Sequence, residues 1–260
     1  MPMAGPDANE TTRMRGITVP LTAFAGGRLF GERLGSGPPR VIGLHGWGRD
    51  RTDMARVLAG LDAIVIDLPG FGASPPPPDA WGAGAYAEAI TPVLEEFAEP
   101  PVLVGHSFGG RVAVCLAAAD PNRVRALILT GVPLLRRRDA RRPPPRYRAV
   151  RALHRAGLVS EARMERARVR HGSRDYRAAS GVMRGVLVRA VNESYEEQLR
   201  MIRSPVEMVW GGADAEVPLE IAERAAPLLS DARITVIPGA DHFVPLRSSE
   251  LREAIEKHLP

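Results

Sequence analysis

Ser107 stands among glycines in the stretch "PVLVGHSFGGRVAVCLAAAD", which runs from Pro101 to Asp120 and holds an apolar run on each side of the serine. A serine hydroxyl becomes a nucleophile when a neighbouring base takes its proton. The spacing Gly-x-Ser-x-Gly, from Gly105 to Gly109, is typical of a serine held on a sharp turn, although short patterns of this kind also arise by chance. The flanking residues must therefore decide between a nucleophile and an ordinary polar residue in a bend.

The flanking runs predict a strand, a tight turn and a helix. Residues 102–104 follow two prolines and are typical of a buried strand in a parallel sheet. The apolar residues after the glycines continue to Asp120, where the following proline is expected to end a helix. Side chains at Gly105 and Gly109 would collide where strand and helix nearly touch, and the serine would take a strained backbone conformation. We therefore predict that Ser107 is a nucleophile.

A serine nucleophile needs a base at the end of another strand, and His242 in "PGADHFVP" follows the last predicted strand. His106 is expected to point away from its neighbour Ser107. His45, in "LHGWG", remains a rival base whose position suits a different task. Three further histidines lie within predicted helices or at the end of one: His154, His171 and His258.

The orienting acid is expected just after the strand that precedes the last one. Asp214 in "MVWGGADAEVP" has this position, and a carboxylate there can accept the Nδ1 proton of the base, fix its tautomer and stabilise the imidazolium. Asp241 adjoins His242 in sequence but is more typical of a turn residue. Glu216 is a weaker alternative to Asp214.

An oxyanion hole requires two backbone donors directed at one point. Phe108 follows the nucleophile and supplies one N–H at the start of its helix, where the helix dipole also favours negative charge. The second donor is expected from the loop after "RVIGL", where Gly46 in "HGWG" permits close approach of the backbone and Trp47 supplies the amide. The Trp47 indole could line a pocket or fill the core.

These residues resemble the α/β-hydrolase superfamily, whose order of nucleophile, acid and base is the order of Ser107, Asp214 and His242. The resemblance rests on "HGWG", "DLPGFGAS", "GHSFGG", "GGADAEVP" and "GADHFVP", which span Val41 to Leu246. It implies an eight-stranded, mostly parallel sheet with a helical cap, a covalent acyl-enzyme at Ser107, and no cofactor or metal. A serine instead of an aspartate on the turn disfavours the dehalogenase and epoxide-hydrolase branches.

The remaining sequence predicts the elements that position these residues. The segments "ITVPLTAF" and "RLFGERLG" predict an opening hairpin with Gly26 and Gly27 in its turn. Six apolar runs predict buried strands of a mostly parallel α/β sheet, because most intervals between them are long enough for a crossover helix. These runs are "RVIGL", "AIVID", "PVLVG", "RALILTG", "VEMVWG" and "RITVIPG".

One interval, from Leu134 to Ser204, is too long for a single crossover. It predicts several amphipathic helices, including "YRAVRALHRAGLV" and "SGVMRGVLVRAVNESYEEQLRMI". They are entered through the stiff, charged stretch "RRRDARRPPPRY", whose three prolines are expected to oppose helix and sheet alike. The predicted organisation is a flexible N-terminus over residues 1–15, a core over 16–133 and 204–260, and a helical cap over 134–203.

Charge is concentrated in the predicted cap, where residues 136–203 contain 19 arginines and 7 acidic residues. The whole chain has 34 arginines and one lysine, a bias that favours solvated helix faces over a dedicated site for an anionic ligand. Aromatic residues that could stack on bases are scarce in the segment, which argues against nucleic acid. The single cysteine, Cys115, and the lack of an apolar signal or membrane segment favour a cytoplasmic protein that binds no membrane. The expected oligomeric state is a monomer or a homodimer.

The sequence thus predicts a serine hydrolase with a helical cap that acts on a small-molecule ester, thioester or lactone. Two alternatives stay open at this stage. The same residues could cleave a carbon–carbon bond in a diketone, using Ser107 and His242 differently, or the protein could be a non-catalytic receptor for a small molecule.

Overall fold

The computed structural model describes residues 12–14, 17–138 and 144–259. Within these residues the main sheet has eight strands, mostly parallel and flanked by helices, which confirms the predicted fold class. In chain order the strands are β1 (Thr12–Met14), β2 (Ile17–Val19), β3 (Thr22–Phe24), β4 (Leu29–Leu34), β5 (Val41–Leu44), β6 (Ala63–Asp67), β7 (Val102–His106), β8 (Ala126–Thr130), β9 (Val206–Gly211) and β10 (Ala232–Ile237). The spatial order in the main sheet is β10-β9-β8-β7-β5-β6-β4-β3.

The helices follow the strands as crossover connections. In chain order they are α1 (Arg51–Val57), α2 (Ala83–Ile90), α3 (Phe108–Ala119), α4 (Pro145–Arg155), α5 (Glu161–His171), α6 (Arg174–Ala178), α7 (Gly181–Ala190), α8 (Glu196–Met201), α9 (Glu220–Ala225) and α10 (Ser249–Glu256). Short 3₁₀ turns occupy Ala25–Gly27, Thr91–Glu96, Pro121–Arg123, Ala226–Leu228 and Val244–Arg247. No helix in the described ranges is long and apolar enough to span a membrane.

The opening hairpin is shorter than the sequence predicts. Strands β3 and β4 pair antiparallel around a turn in which Gly26 and Gly27 have φ of 68° and 82°, a region that glycine adopts without strain. Strand β2, part of the predicted first hairpin strand, pairs with β1 in a separate two-stranded sheet. Residues 1–11 and 15 of the predicted flexible N-terminus, and Gly16 at the start of the predicted core, lie outside the described residues.

Strands β5 to β9 are buried along their whole length, as their continuous apolar runs predict. The prediction that "RITVIPG" forms a buried strand is wrong. Strand β10 alternates between half-buried and exposed residues, because it pairs only with β9 and forms one edge of the sheet. Its position still brings the following loop to the carboxyl ends of the neighbouring parallel strands.

The interval between β8 and β9 contains α4 to α8, and its two halves differ in burial. Helices α4 and α6 bury no residue, and α5 buries only Met164, among the described residues. Helices α7 and α8 instead contribute Val186, Ala190 and Leu199 to the main hydrophobic cluster. The second half of the predicted cap is therefore packed on the core, whereas the arginine-rich first half is largely solvated.

Two local expectations for this interval are wrong. The stretch that we predict as one helix from Ser180 forms α7 and α8, separated by a break at residues 191–195. Glu193 in the break accepts a hydrogen bond from the Ala83 amide at the start of α2, at 3.2 Å, which satisfies a free helix N–H. Pro145 does not oppose a helix but starts α4, a position where its missing N–H costs nothing. Residues 139–143 of the proline-rich stretch lie outside the described residues.

A buried ionic cluster ties the loop after β6 to the start of α1. Arg51 binds Glu32 Oε1 at 2.8 Å and Asp67 Oδ2 at 2.7 Å, and its amide donates to Asp67 Oδ1 at 2.7 Å. The Ala73 amide also donates to Asp67 Oδ2, at 2.8 Å. All three charged residues are buried, so the cluster holds both ends of the loop that contains the motif "DLPGFGAS".

Arg51→Ala is expected to lower the free energy of unfolding by about 3–5 kcal/mol, because it leaves two buried carboxylates without a counter-charge. Urea denaturation measures the change. Arg125→Ala is the matched control, since Arg125 is partly exposed, its partner Glu99 is exposed, and such surface pairs contribute at most about 1 kcal/mol. Equal losses in the two variants would contradict a structural role for the cluster.

Candidate active site

Ser107 is the single residue between β7 and α3, and its backbone is strained. Its φ of 49° and ψ of −111° lie in a region that residues with side chains rarely adopt. The Ser107 amide donates to Thr130 O on β8 at 3.0 Å, which holds the turn against the neighbouring strand. The serine side chain is thus held at the carboxyl end of the parallel strands.

The glycines of the motif allow the strand and helix to approach. A Cβ at Gly105 would lie 2.5 Å from Gly110 Cα, and a Cβ at Gly109 would lie 2.2 Å from Leu44 O at the end of β5. Both distances are far below van der Waals contact with backbone atoms that cannot turn aside. Larger residues at these positions would displace the turn that carries Ser107.

Asp214 and His242 come together from the loops after β9 and β10. Asp214 Oδ2 lies 2.7 Å from His242 Nδ1, and both side chains are almost completely buried. The other carboxylate oxygen, Oδ1, accepts the amides of Glu216 at 2.9 Å and Val217 at 2.8 Å. The carboxylate is therefore fixed, and its contact with Nδ1 assigns the ring proton to Nδ1, which leaves Nε2 free to accept one.

The two other acids near His242 have different positions. Asp241 is exposed, and its Oδ1 accepts the amides of Phe243 at 2.9 Å and Val244 at 3.1 Å, which is the geometry of a turn residue. Glu216 Oε2 lies 3.8 Å from His242 Nε2, on the side of the ring opposite to Asp214. Among the described residues, no hydrogen bond joins Ser107 Oγ to Nε2. Catalytic hydrogen bonds are often longer without substrate than in the reacting complex.

His106 packs against the ring of His242. The two ring centroids are 4.7 Å apart, and His106 Nδ1 donates to Thr130 O at 3.1 Å. Burial, with repulsion from His242 as a second cause, lowers the pKa of His106 to about 3, so its ring is neutral. Gly131, at φ 57°, gives the His242 ring its space, since a Cβ there would lie 2.6 Å from His242 Cε1.

His45 is held in a structural network rather than at the reacting centre. Its Nδ1 lies 2.8 Å from Gly46 O, and its Nε2 accepts the Leu68 amide at 3.0 Å. Burial lowers the pKa of His45. With both ring nitrogens bonded to the backbone, His45 has none left to take a proton from Ser107.

The amides of Trp47 and Phe108 lie in the two segments that approach Ser107. A Cβ on Gly46 would lie 3.4 Å from Ser107 Cβ, so the loop after β5 rests directly against the turn. No backbone hydrogen bond of the Trp47 or Phe108 amide is found among the described residues. The Trp47 indole is partly buried on the core and meets the Phe71 ring edge-on at 5.0 Å and the Phe108 ring at 5.4 Å. The rings of Trp47, Phe71 and Phe108 therefore form an apolar cluster on the two segments and the loop next to them.

A model of the alpha/beta hydrolase family matches residues 41–254, a range that includes every site residue described above. The chain is an alpha/beta hydrolase. The hydrolase is 32% identical over 254 residues to a pimeloyl-[acyl-carrier protein] methyl ester esterase of Chromobacterium violaceum, covering 89% of this chain and 98% of that protein. It is 27% identical over 255 residues to a 2-hydroxy-6-oxononadienedioate/2-hydroxy-6-oxononatrienedioate hydrolase of Cupriavidus pinatubonensis. This match covers 83% of this chain and 84% of that protein. The solved structure of a thermophilic esterase is similar, with a TM-score of 0.65 at 25% identity. The match covers 91% of this chain and 95% of the esterase chain.

Three features of the hydrolase site escape prediction from sequence. They are the space for His242 above Gly131, the ionic cluster of Arg51, and the approach of Glu216 to His242 Nε2. The sequence signals for the first two features are weak. Gly131 is visible only as a glycine after a strand, and the ionic cluster only as charged residues inside apolar regions. No group of three or more His, Cys, Asp or Glu side chains in the described part of the chain could hold a metal ion.

Proposed function

We propose that this hydrolase cleaves small carboxylic esters, thioesters or lactones through a covalent acyl-enzyme on Ser107. The observation that carries the proposal is the 2.7 Å contact between Asp214 and His242 at the sheet edge that also holds the strained Ser107. Relatives named as esterases support the reaction class. We expect the protein to work in the cytoplasm, which its single cysteine supports.

In the proposed mechanism, His242 Nε2 takes the Ser107 proton while Oγ attacks the carbonyl carbon of the substrate. The amides of Trp47 and Phe108 stabilise the resulting oxyanion, and Asp214 stabilises the imidazolium. The imidazolium then gives its proton to the leaving alcohol or thiol, or to the ring oxygen of an opened lactone. A water molecule, deprotonated by His242, attacks the acyl ester and releases the acid and free Ser107.

Residues 134–203 are proposed to act as a cap that selects the substrate. Met183 on α7 supports this role, because its sulfur would lie 2.3 Å from a Cβ at Gly70 in the loop after β6. The Tyr86 hydroxyl is 4.0 Å from the same sulfur, and the Tyr86 ring meets the Phe108 ring at 5.0 Å. Side chains on α7 therefore lie one layer away from the turn that carries Ser107.

Carbon–carbon bond hydrolysis is the second candidate, favoured by the 27% identical relative whose name describes hydrolysis of an oxo-dienedioate. A non-catalytic receptor is the third possibility from the sequence, but relatives named as esterases and as a hydrolase support an enzyme. A receptor would bind a small ligand without forming an adduct on Ser107, and a carbon–carbon hydrolase would require a diketone substrate.

The test of the proposed function is turnover by the purified protein of aryl esters with acyl chains of two to eight carbons, a thioester and a lactone. A fluorophosphonate probe is expected to add one adduct per chain, on the peptide that contains Ser107. Adduct formation without turnover of any ester, thioester or lactone would favour carbon–carbon cleavage, which a diketone assay then decides. If the protein forms no adduct and turns over no substrate, a non-catalytic receptor is favoured.

A further inference from the structure

Glu216 has a position that the proposed mechanism does not use. Its side chain is 64% exposed, and its Oε2 lies 3.8 Å from His242 Nε2, the nitrogen that must exchange protons with Ser107. Asp214 already binds the other ring nitrogen at 2.7 Å. A second carboxylate is therefore not needed to orient the ring, and its charge lies on the side where the substrate reacts.

The backbone holds Glu216 at this position from both sides. Its amide donates to Asp214 Oδ1 at 2.9 Å, so the residue is tied to the same carboxylate that orients His242. Arg137 Nη1 lies 3.3 Å from Ala215 O and 3.5 Å from Glu216 O, which links this loop to the segment after β8. The carboxylate is thus carried on an anchored loop.

Two uncharged rings lie next to His242. His106 is neutral, and the Phe243 ring, 5.1 Å from the His242 ring, is uncharged. Two cations are also nearby. Arg137 Nη1 contacts the backbone carbonyls of Ala215 and Glu216, and Arg49 lies over the Phe243 ring while it is paired with Asp53. At a partly exposed site the effective dielectric lies between those of water and of the protein interior, so a substrate charge a few ångströms from Glu216 still has an appreciable energy.

We propose that Glu216 is a specificity-determining residue, whose carboxylate beside the reacting nitrogen disfavours substrates with a negative charge a few ångströms from the scissile carbonyl. Neutral and cationic esters are the preferred class. The proposal rests on the proposed ester hydrolysis and adds the charge of the substrate to it. Dianionic substrates are correspondingly poor.

The experiment compares three aryl esters of matched length, with pentanoyl, 4-carboxybutanoyl and 4-(trimethylammonio)butanoyl acyl groups, at low and high salt. The readout is the ratio of kcat/KM for the anionic ester to that for the neutral one, which cancels any common change in the chemistry. Glu216→Gln is expected to raise this ratio about tenfold at low salt, the scale of a nearby unit charge at a partly exposed site. The wild-type ratio is expected to rise with salt, because the carboxylate is partly exposed and therefore screened.

Two further variants sharpen the test. Glu220→Gln removes a carboxylate that is paired with Arg224 on α9, and it is expected to leave the ratio unchanged. Arg137→Gln removes one nearby cation and is expected to lower the ratio, the opposite of Glu216→Gln. A wild-type preference for the anionic ester, or an equal ratio in wild type and Glu216→Gln, overturns the proposal while ester hydrolysis stands. Failure of the wild type to hydrolyse any of the three esters overturns both the charge selection and the proposed function.

Discussion

Ser107→Ala is expected to lower kcat for esters by about 10⁶-fold, the loss seen when the nucleophile of a serine protease is removed. The physical reason is that the alanine methyl group cannot form the acyl-enzyme, while the Asp214–His242 pair and the oxyanion donors remain. Steady-state kinetics with the best ester of the panel measures the loss, and probe labelling is expected to vanish with it. Ser249→Ala, at an exposed serine that starts α10, is the control and should keep full activity.

The stability of the Ser107 variants provides an independent readout. Alanine has the same difficulty as serine at φ 49° and ψ −111°, so Ser107→Ala is expected to melt near the wild type. Glycine adopts this conformation without strain. The free energy of unfolding of Ser107→Gly is therefore expected to rise by about 1 kcal/mol, after the larger entropy of its unfolded chain is subtracted. A glycine variant that is less stable than the alanine variant would contradict backbone strain at this turn.

The strand, turn and helix around Ser107 could be predicted because their signals are local. An apolar run of strand length ends at Gly105, and a second run of helical length begins at Phe108, so the two residues between them, His106 and Ser107, must include a tight turn. The sequence also predicts that Asp214 and His242 lie at the same edge of the sheet as Ser107, because both follow later strands and parallel strands bring their carboxyl ends to one edge. Their roles in catalysis stay predictions until the variants are measured.

Hydrogen bonds between distant segments could not be predicted. The role of His45 depends on the Leu68 amide, 23 residues away, and nothing in "LHGWG" names that partner. Glu216 presents the same difficulty, because a residue two positions after Asp214 can turn toward the site or toward solvent. Only the folded loop shows that its carboxylate meets Nε2.

Burial of the outer elements was equally hard to read from sequence. The apolar run of β10 resembles those of the central strands, yet only the topology shows that β10 forms an edge. The break between α7 and α8 contains residues with tertiary contacts, since Glu193 accepts the Ala83 amide and the Tyr195 amide donates to Leu134 O. In both cases a tertiary contact overrides a local pattern.

Asp214→Asn is expected to lower kcat by about 10⁴-fold, the loss found when the orienting acid of a serine protease becomes an amide. The structure gives a specific reason for so large an effect in this site. The amides of Glu216 and Val217 both donate to the position of Oδ1, so they select the oxygen of the asparagine for that place. Its NH₂ group is then forced toward His242 Nδ1, which must become the proton acceptor. The ring proton moves to Nε2, and a protonated Nε2 cannot take the proton of Ser107.

Kinetics of Asp214→Asn should be measured beside Asp241→Asn, a control of the same chemistry. Asp241 is exposed and its Oδ1 accepts two backbone amides in a turn, so its amide variant is expected to lose less than about tenfold in kcat, as it leaves the tautomer of His242 unchanged. NMR of the histidine ring nitrogens supplies the second readout, with the proton expected on Nδ1 in wild type and on Nε2 in Asp214→Asn. A small loss of kcat with the proton still on Nδ1 would assign the orienting role to another acid, because the two backbone donors would then have failed to direct the amide.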